Sequence, residues 1–266
     1  MNRIRKTFEK IGKENRSALI AYITAGDPDL GTTKKLVLAL EESGADIIEL
    51  GIPFSDPIAD GPTIQKASQR ALEKGTRLKD VITLVKELRK QTEIPLVFMT
   101  YYNPVLQYGI SKFVQDAVHA GLDGVIVPDL PPEEAQDLIT AARKTGLDTI
   151  FLLAPTSTAK RIKLVAENSS GFVYYVSLTG VTGARKQVAT DVAASIKKIK
   201  RFTDKPVAIG FGISNAAQVR QVVNGGADGV IVGSAIVNLI EQNLGKKDLV
   251  NKVAKFVKKL SKGVIS

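Results

Sequence analysis

Short apolar runs rich in β-branched residues recur along the chain, each about as long as a buried strand and each separated from the next by a stretch with helical spacing. The runs are ALIAYIT (18–24), DIIELG (46–51), PLVFMTY (95–101), DGVIVPD (123–129), DTIFLLAP (148–155), FVYYVS (172–177), PVAIGFG (206–212) and DGVIVGS (228–234). Between them Leu36, Val37 and Leu40 precede Gly44, and Leu84, Val85 and Leu88 precede Pro95, as buried helix faces require. A triplet marks the junctions: Gly44-Ala45-Asp46, Gly121-Leu122-Asp123, Gly146-Leu147-Asp148 and Gly226-Ala227-Asp228 each stand just before an apolar run. Glycine suits the left-handed residue that ends a helix, so each triplet reads as helix stop, turn and strand start.

Eight such strands alternating with helices predict a (β/α)8 TIM barrel, for which about 250 residues is usual. An open doubly wound sheet is the competing fold, but no GxGxxG follows the first strand. The connection from Leu50 to Pro95 is long, which implies an insertion in the second βα loop. No low-complexity linker divides the chain, so residues 1–266 are expected to form a single domain. At the C-terminal end Leu249, Val250, Val253, Phe256, Val257 and Leu260 share one helical arc, with Lys252, Lys255, Lys258, Lys259 and Lys262 opposite. This is an amphipathic helix with a solvated basic face.

Composition narrows the chemistry. Of 266 residues 44% are hydrophobic, none is Cys and one is His. Disulfides, iron–sulfur clusters, thiol nucleophiles and multi-histidine metal sites are therefore excluded. The N-terminal MNRIRKTFEKIGKENR has no apolar segment behind its charges, and no transmembrane run occurs, which points to the cytoplasm. A net charge of +10 admits a polyanion partner. Yet the C-terminal lysines lack the interleaved aromatics of a stacking platform, so nucleic acid is disfavoured. His119, near a helix end, is a surface residue facing the helix dipole.

Barrel active sites lie at the C-terminal ends of the strands. No strand carries a Lys, which disfavours Schiff-base aldol chemistry. Glu49 stands out in Ile47-Ile48-Glu49-Leu50 as a carboxylate in a strand otherwise apolar on both faces. Desolvation there would raise its pKa toward neutrality and suit it to proton transfer; the alternative is a carboxylate that merely braces the barrel top. Asp60, with Ser55 and Asp56, lies in the Pro- and Gly-punctuated GIPFSDPIADGPTI and reads either as catalytic or as a turn residue. Gly212, Gly233 and Ser234 follow the last two strands, where barrels commonly hold phosphate on backbone N–H groups. SLTGVTGARKQ, with Gly180 and Gly183 as hinges and Thr179 and Thr182 between and beside them, reads as a lid or as a plain surface loop.

ELGIPFSDPIADGPTIQ, from Glu49 to Gln65, resembles the signature of the tryptophan synthase alpha subunit family. TAGDPD (24–29), VPDLPPEE (127–134), GVTGAR (180–185), GFGIS (210–214) and GSAIV (233–237) extend the resemblance over nearly the whole chain. It implies a lyase of tryptophan biosynthesis that cleaves indole-3-glycerol phosphate by retro-aldol chemistry, with no cofactor or metal of its own. A beta subunit carrying pyridoxal phosphate would be its partner. By the same resemblance Glu49 is the acid/base and Asp60 accepts the indole N–H, with Tyr174 on the glycerol side. Thr182 is on the lid, and Gly183, Gly212, Gly233 and Ser234 are at the phosphate. Tyr22, Ile64, Met99, Ile126, Leu152 and Phe211 would line the indole pocket, Tyr22 standing where Phe is frequent. A stand-alone lyase without a beta partner and a non-catalytic regulatory barrel are the alternatives.

Overall fold

In the computed structural model, which describes residues 2–177, 185–210 and 212–265, the apolar runs form parallel strands. They are β1 (Ala18–Thr24), β2 (Ile47–Gly51), β3 (Leu96–Met99), β4 (Gly124–Ile126), β5 (Asp148–Ile150), β6 (Leu152–Leu153), β7 (Val173–Val176), β8 (Val207–Gly210) and β9 (Gly229–Val232). Their order is β5-β4-β3-β2-β1-β9-β8-β7-β6. The two ends of that series are consecutive in the chain, so the sheet closes on itself as a barrel through Phe151.

Nine segments rather than eight arise because DTIFLLAP divides. Asp148 to Ile150 pair with β4, while Leu152 and Leu153 pair with β7. At the joint the Phe151 N–H donates to the Ser169 hydroxyl (3.2 Å) instead of a neighbouring strand. Its carbonyl accepts the Tyr174 N–H (3.2 Å), which carries the wall across the gap.

Among the described residues the helices are α1 (Arg3–Lys13), α2 (Leu30–Glu42), α3 (Pro62–Glu73), α4 (Leu78–Leu88), α5 (Tyr102–Tyr108), α6 (Ile110–Ala120), α7 (Gln136–Thr145), α8 (Ala159–Asn168), α9 (Arg185–Lys200), α10 (Ala216–Asn224), α11 (Ser234–Glu241) and α12 (Leu249–Leu260). The long second connection holds both α3 and α4. None of these helices is long and apolar enough to cross a membrane. Helix α12 buries Leu249, Val253, Val257 and Leu260 and leaves Lys255, Lys258 and Lys259 exposed, as its amphipathic pattern requires.

Side-chain alternation along the strands separates two apolar layers. Leu19, Ala21 and Ile23 of β1, with Ile48 and Leu50 of β2, join the large outer cluster between sheet and helices. Ala18, Ile20 and Ile47 join the barrel interior. That interior is plugged at the N-terminal ends of the strands by Ile4, Phe8 and Ile11 of α1, and Phe8 packs on Phe172 with ring centroids 5.9 Å apart. The charged stretch at residues 2–13 is thus an amphipathic plug, started by the Asn2 side chain accepting the Ile4 N–H (2.8 Å).

All four triplet glycines have positive φ: Gly44 (94°), Gly121 (96°), Gly146 (79°) and Gly226 (90°). The following aspartates do more than open a strand. Asp46 accepts the Leu19 N–H (2.8 Å), Asp123 the Leu96 N–H (2.9 Å) and Asp228 the Val207 N–H (2.7 Å), each stitching its strand to the preceding one. Arg16, Arg89 and Lys200 pair with these carboxylates in turn. Asp148 has no such cation among the described residues; burial, with Asp123 nearby, pushes it up to about 6 against the pull of Ser170.

Candidate active site

The inward face of β2 carries Ile47 into the apolar interior, and one alternation later it must carry Glu49 inward as well. In register Glu49 lies between Tyr22 of β1 and Val97 of β3. Its side chain is only 1% exposed, and neither carboxylate oxygen has a hydrogen-bond partner among the described residues. Burial, reinforced by the negative charge of Asp60, pushes its pKa up to about 8. Glu49 is therefore a largely protonated carboxyl near neutrality.

Asp60 precedes α3. Burial raises its pKa, and the hydrogen bond from the Tyr101 hydroxyl opposes that rise. This hydroxyl donates to Asp60 Oδ2 (3.0 Å) while accepting the Ala59 N–H (3.0 Å), so one phenol fixes both the carboxylate and the backbone beside it. Desolvation holds the Tyr101 pKa well above its ordinary value, with the Asp60 charge adding to it. Tyr22 and Tyr174 are buried, and burial above all keeps both phenols neutral; among nearby charges Asp60 is foremost for Tyr22 and Glu49 for Tyr174. The Tyr22 hydroxyl lies 3.4 Å from Thr24 Oγ1, above Gly51, where any Cβ would collide with it. Tyr174 occupies the equivalent space over Gly210.

Beside Tyr22, Gly233 caps α11 without a side-chain acceptor of its own, and the first N–H groups of that helix have no intrahelical carbonyl. Gly212, Ser214, Ser234 and Ala235 border a cavity of about 460 Å³ whose wall also includes Leu239 and Phe256. Helix-end N–H groups beside small residues are a ready anion site. The arrangement is thus a protonated carboxyl and a second carboxylate at the barrel mouth, with apolar neighbours, and beside Tyr22 a helix end whose N–H groups suit an anion.

Comparison with known proteins identifies the family. A family profile described as tryptophan synthase alpha chain matches residues 8–265. The chain belongs to the tryptophan synthase alpha chain family. Curated alpha chains similar to it include that of Geotalea uraniireducens, 57% identical over 99% of this chain and 98% of that one. Another is that of Thermoanaerobacter sp., 51% identical over 98% of each. Among solved structures the alpha subunit of Legionella pneumophila superposes with a TM-score of 0.92 at 40% identity, covering 99% of this chain and 98% of that one. The tryptophan synthase α2β2 complex of Pyrococcus furiosus gives 0.85 at 43% identity, covering 91% and 97%.

For a tryptophan synthase alpha chain, the expected site residues gather as follows. Tyr22, Ile64 and Met99 share one apolar cluster, with Ala67 and Val237 behind them. Met99 also touches the interior cluster that holds Ile126, Leu152 and Tyr174. The two clusters are thus joined through Met99. Gly212 and Ser234 meet at the outer cavity, and Gly233 lies against the Tyr22 ring. Thr182, Gly183 and Phe211, with Gly180, lie outside the described residues. Tyr101 was visible in sequence only as an aromatic at a strand end; its bond to Asp60 spans 41 residues, beyond any local pattern. Asp56 and Ser55 are exposed and bond each other, away from Glu49.

Proposed function

We propose that this chain cleaves indole-3-glycerol phosphate to indole and glyceraldehyde 3-phosphate by retro-aldol chemistry, with Glu49 as proton shuttle and Asp60 as the partner of the indole N–H. The observation that carries this reading is the Glu49 carboxyl, wholly buried, unpartnered among the described residues and held protonated near neutrality. Only the protonated form can deliver a proton to the ring carbon that bears the glycerol chain. Protonation there places positive charge on the indole nitrogen, and the Asp60 carboxylate, oriented by Tyr101, stabilises it. Glu49, now ionised, takes the proton from the hydroxyl on the adjacent chain carbon. The carbon–carbon bond then breaks, its electron pair returns to the ring and an aldehyde leaves. Indole is the electron sink, so the step asks for neither an amine nor a metal.

Tyr174 borders the glycerol chain. The N–H groups at the head of α11, with Gly212, Gly233, Ser234 and Gly183, would hold the phosphate. Thr182 belongs to the lid and Phe211 to the indole wall by family correspondence. The alpha chain works without a cofactor of its own; pyridoxal phosphate belongs to the beta subunit, which is its partner and the receiver of indole. Ile58 (83% exposed) and Leu106 (49% exposed), in the same two connections as the Phe54–Tyr101 ring contact, offer apolar surface for that subunit near Pro53 to Asp56 and Asn103. This reading puts the chain in the cytoplasm. The direct experiment supplies indole-3-glycerol phosphate to the purified chain, with and without a beta subunit, and measures indole: release in both, faster with the partner, is expected. No indole under either condition overturns it.

A further inference from the structure

Asp60 is carried at the head of α3, two residues before Pro62, and its carbonyl accepts the Gln65 side-chain amide (2.8 Å). Wherever α3 sits, Asp60 goes with it. Yet α3 is held by little apolar burial. Its buried residues are Ala67, Ser68 and Ala71, whereas the neighbouring α4 buries Leu78, Val81, Ile82, Leu84, Val85 and Leu88. Small side chains allow close approach but offer no knob to resist sliding or rotation. Three polar bonds from one residue fill that gap. Arg70 Nε and Nη2 donate to the two oxygens of Asp27 (2.8 and 2.9 Å), and Nη1 donates to Glu241 (3.2 Å). Asp27, in the loop after β1, is 1% exposed; Glu241 ends α11, the helix headed by Gly233 and Ser234.

We propose that Arg70 is a positioning residue for Asp60: its guanidinium pins α3 to the top of β1 and to the far end of the phosphate-side helix, fixing where the Asp60 carboxylate stands relative to Glu49. This rests on the reading of Asp60 given above. A fork bound to both oxygens of one carboxylate sets orientation as well as distance, which a lysine ammonium cannot do. A misplacement on the order of 1 Å in a catalytic group is enough to cost up to about 100-fold in rate.

The test is a double-mutant cycle on indole production. Arg70→Lys keeps a cation beside buried Asp27, and folding is checked by circular dichroism and thermal melting. In the parent background kcat should fall about tenfold with KM changed less than about twofold. In an Asp60→Asn background the same substitution should cost less than about twofold, because the group it positions has lost its charge. Equal losses in both backgrounds, or no loss in the parent, would overturn the proposal while leaving Asp60 in its role. An Asp60→Asn chain at parental rate would overturn that role, and the positioning proposal with it. Should Arg70→Lys fail to fold, Glu241→Gln, which removes only the outer arm, goes through the same cycle: about a threefold kcat loss confined to the Asp60 background supports the pin, and additive losses refute it.

Discussion

Replacing Glu49 by Gln should make the protein more stable and nearly inactive at once. The carboxyl titrates near pH 8 in the folded chain, against an ordinary value of 4.5, because burial and the Asp60 charge oppose its ionisation. Between those two pH values the unfolded chain has released the proton and the folded chain still holds it. Folded stability therefore falls as pH rises through that window, at about 1.4 kcal/mol per pH unit. At pH 7 the accumulated cost is about 3 kcal/mol, a large part of the net stability of an ordinary domain. Glutamine carries no such term. Urea unfolding of parent and Glu49→Gln chains at pH 5, 6, 7 and 8 should show curves that nearly coincide at the acid end and diverge steadily toward pH 8, the variant being more stable. Turnover of the variant, assayed as indole release, should fall by at least about 100-fold, since the amide keeps the shape but moves no proton. Parallel stability profiles would mean that Glu49 ionises freely in the folded chain. A variant with more than about half the parental rate would refute its role in proton transfer.

Tyr101→Phe removes the hydroxyl that lowers the Asp60 pKa, so the acid limb of the kcat/KM profile should move to higher pH; an unmoved limb would mean that the hydroxyl does not govern Asp60. Ser234→Asp places a negative charge at the head of α11, and calorimetry should show glycerol phosphate binding strongly weakened while indole binding stays similar. Equal weakening of both ligands would indicate general damage. Asp123→Asn acts at the opposite end of the barrel, where the carboxylate joins Arg3, Arg89 and the Leu96 N–H; it should cost on the order of 3 kcal/mol in chemical denaturation and leave turnover per folded molecule unchanged.

The alternation of strand and helix was legible because local burial leaves a period in the chain: β1, β2 and the buried face of α2 are continuous readings of ALIAYIT, DIIELG and Leu36, Val37, Leu40. The triplet glycines were legible for an equally local reason, since a helix stop of positive φ selects that residue. Glu49 declared itself too, because a carboxylate in an otherwise apolar strand has few places to face. What the period could not carry is who meets whom across the barrel. The break at Phe151 depends on a Ser169 hydroxyl 18 residues away, and the plug on Ile4, Phe8 and Ile11 reaching strands throughout the chain. Asp46, Asp123 and Asp228 looked like turn punctuation until strand neighbours supplied the N–H groups they accept. Tyr101 on Asp60, and Arg70 between Asp27 and Glu241, are likewise bonds between distant segments. Hydrophobic period follows from each residue's own environment, whereas hydrogen-bond partnership follows from closure of the sheet, and only the closed sheet brings those donors and acceptors within reach.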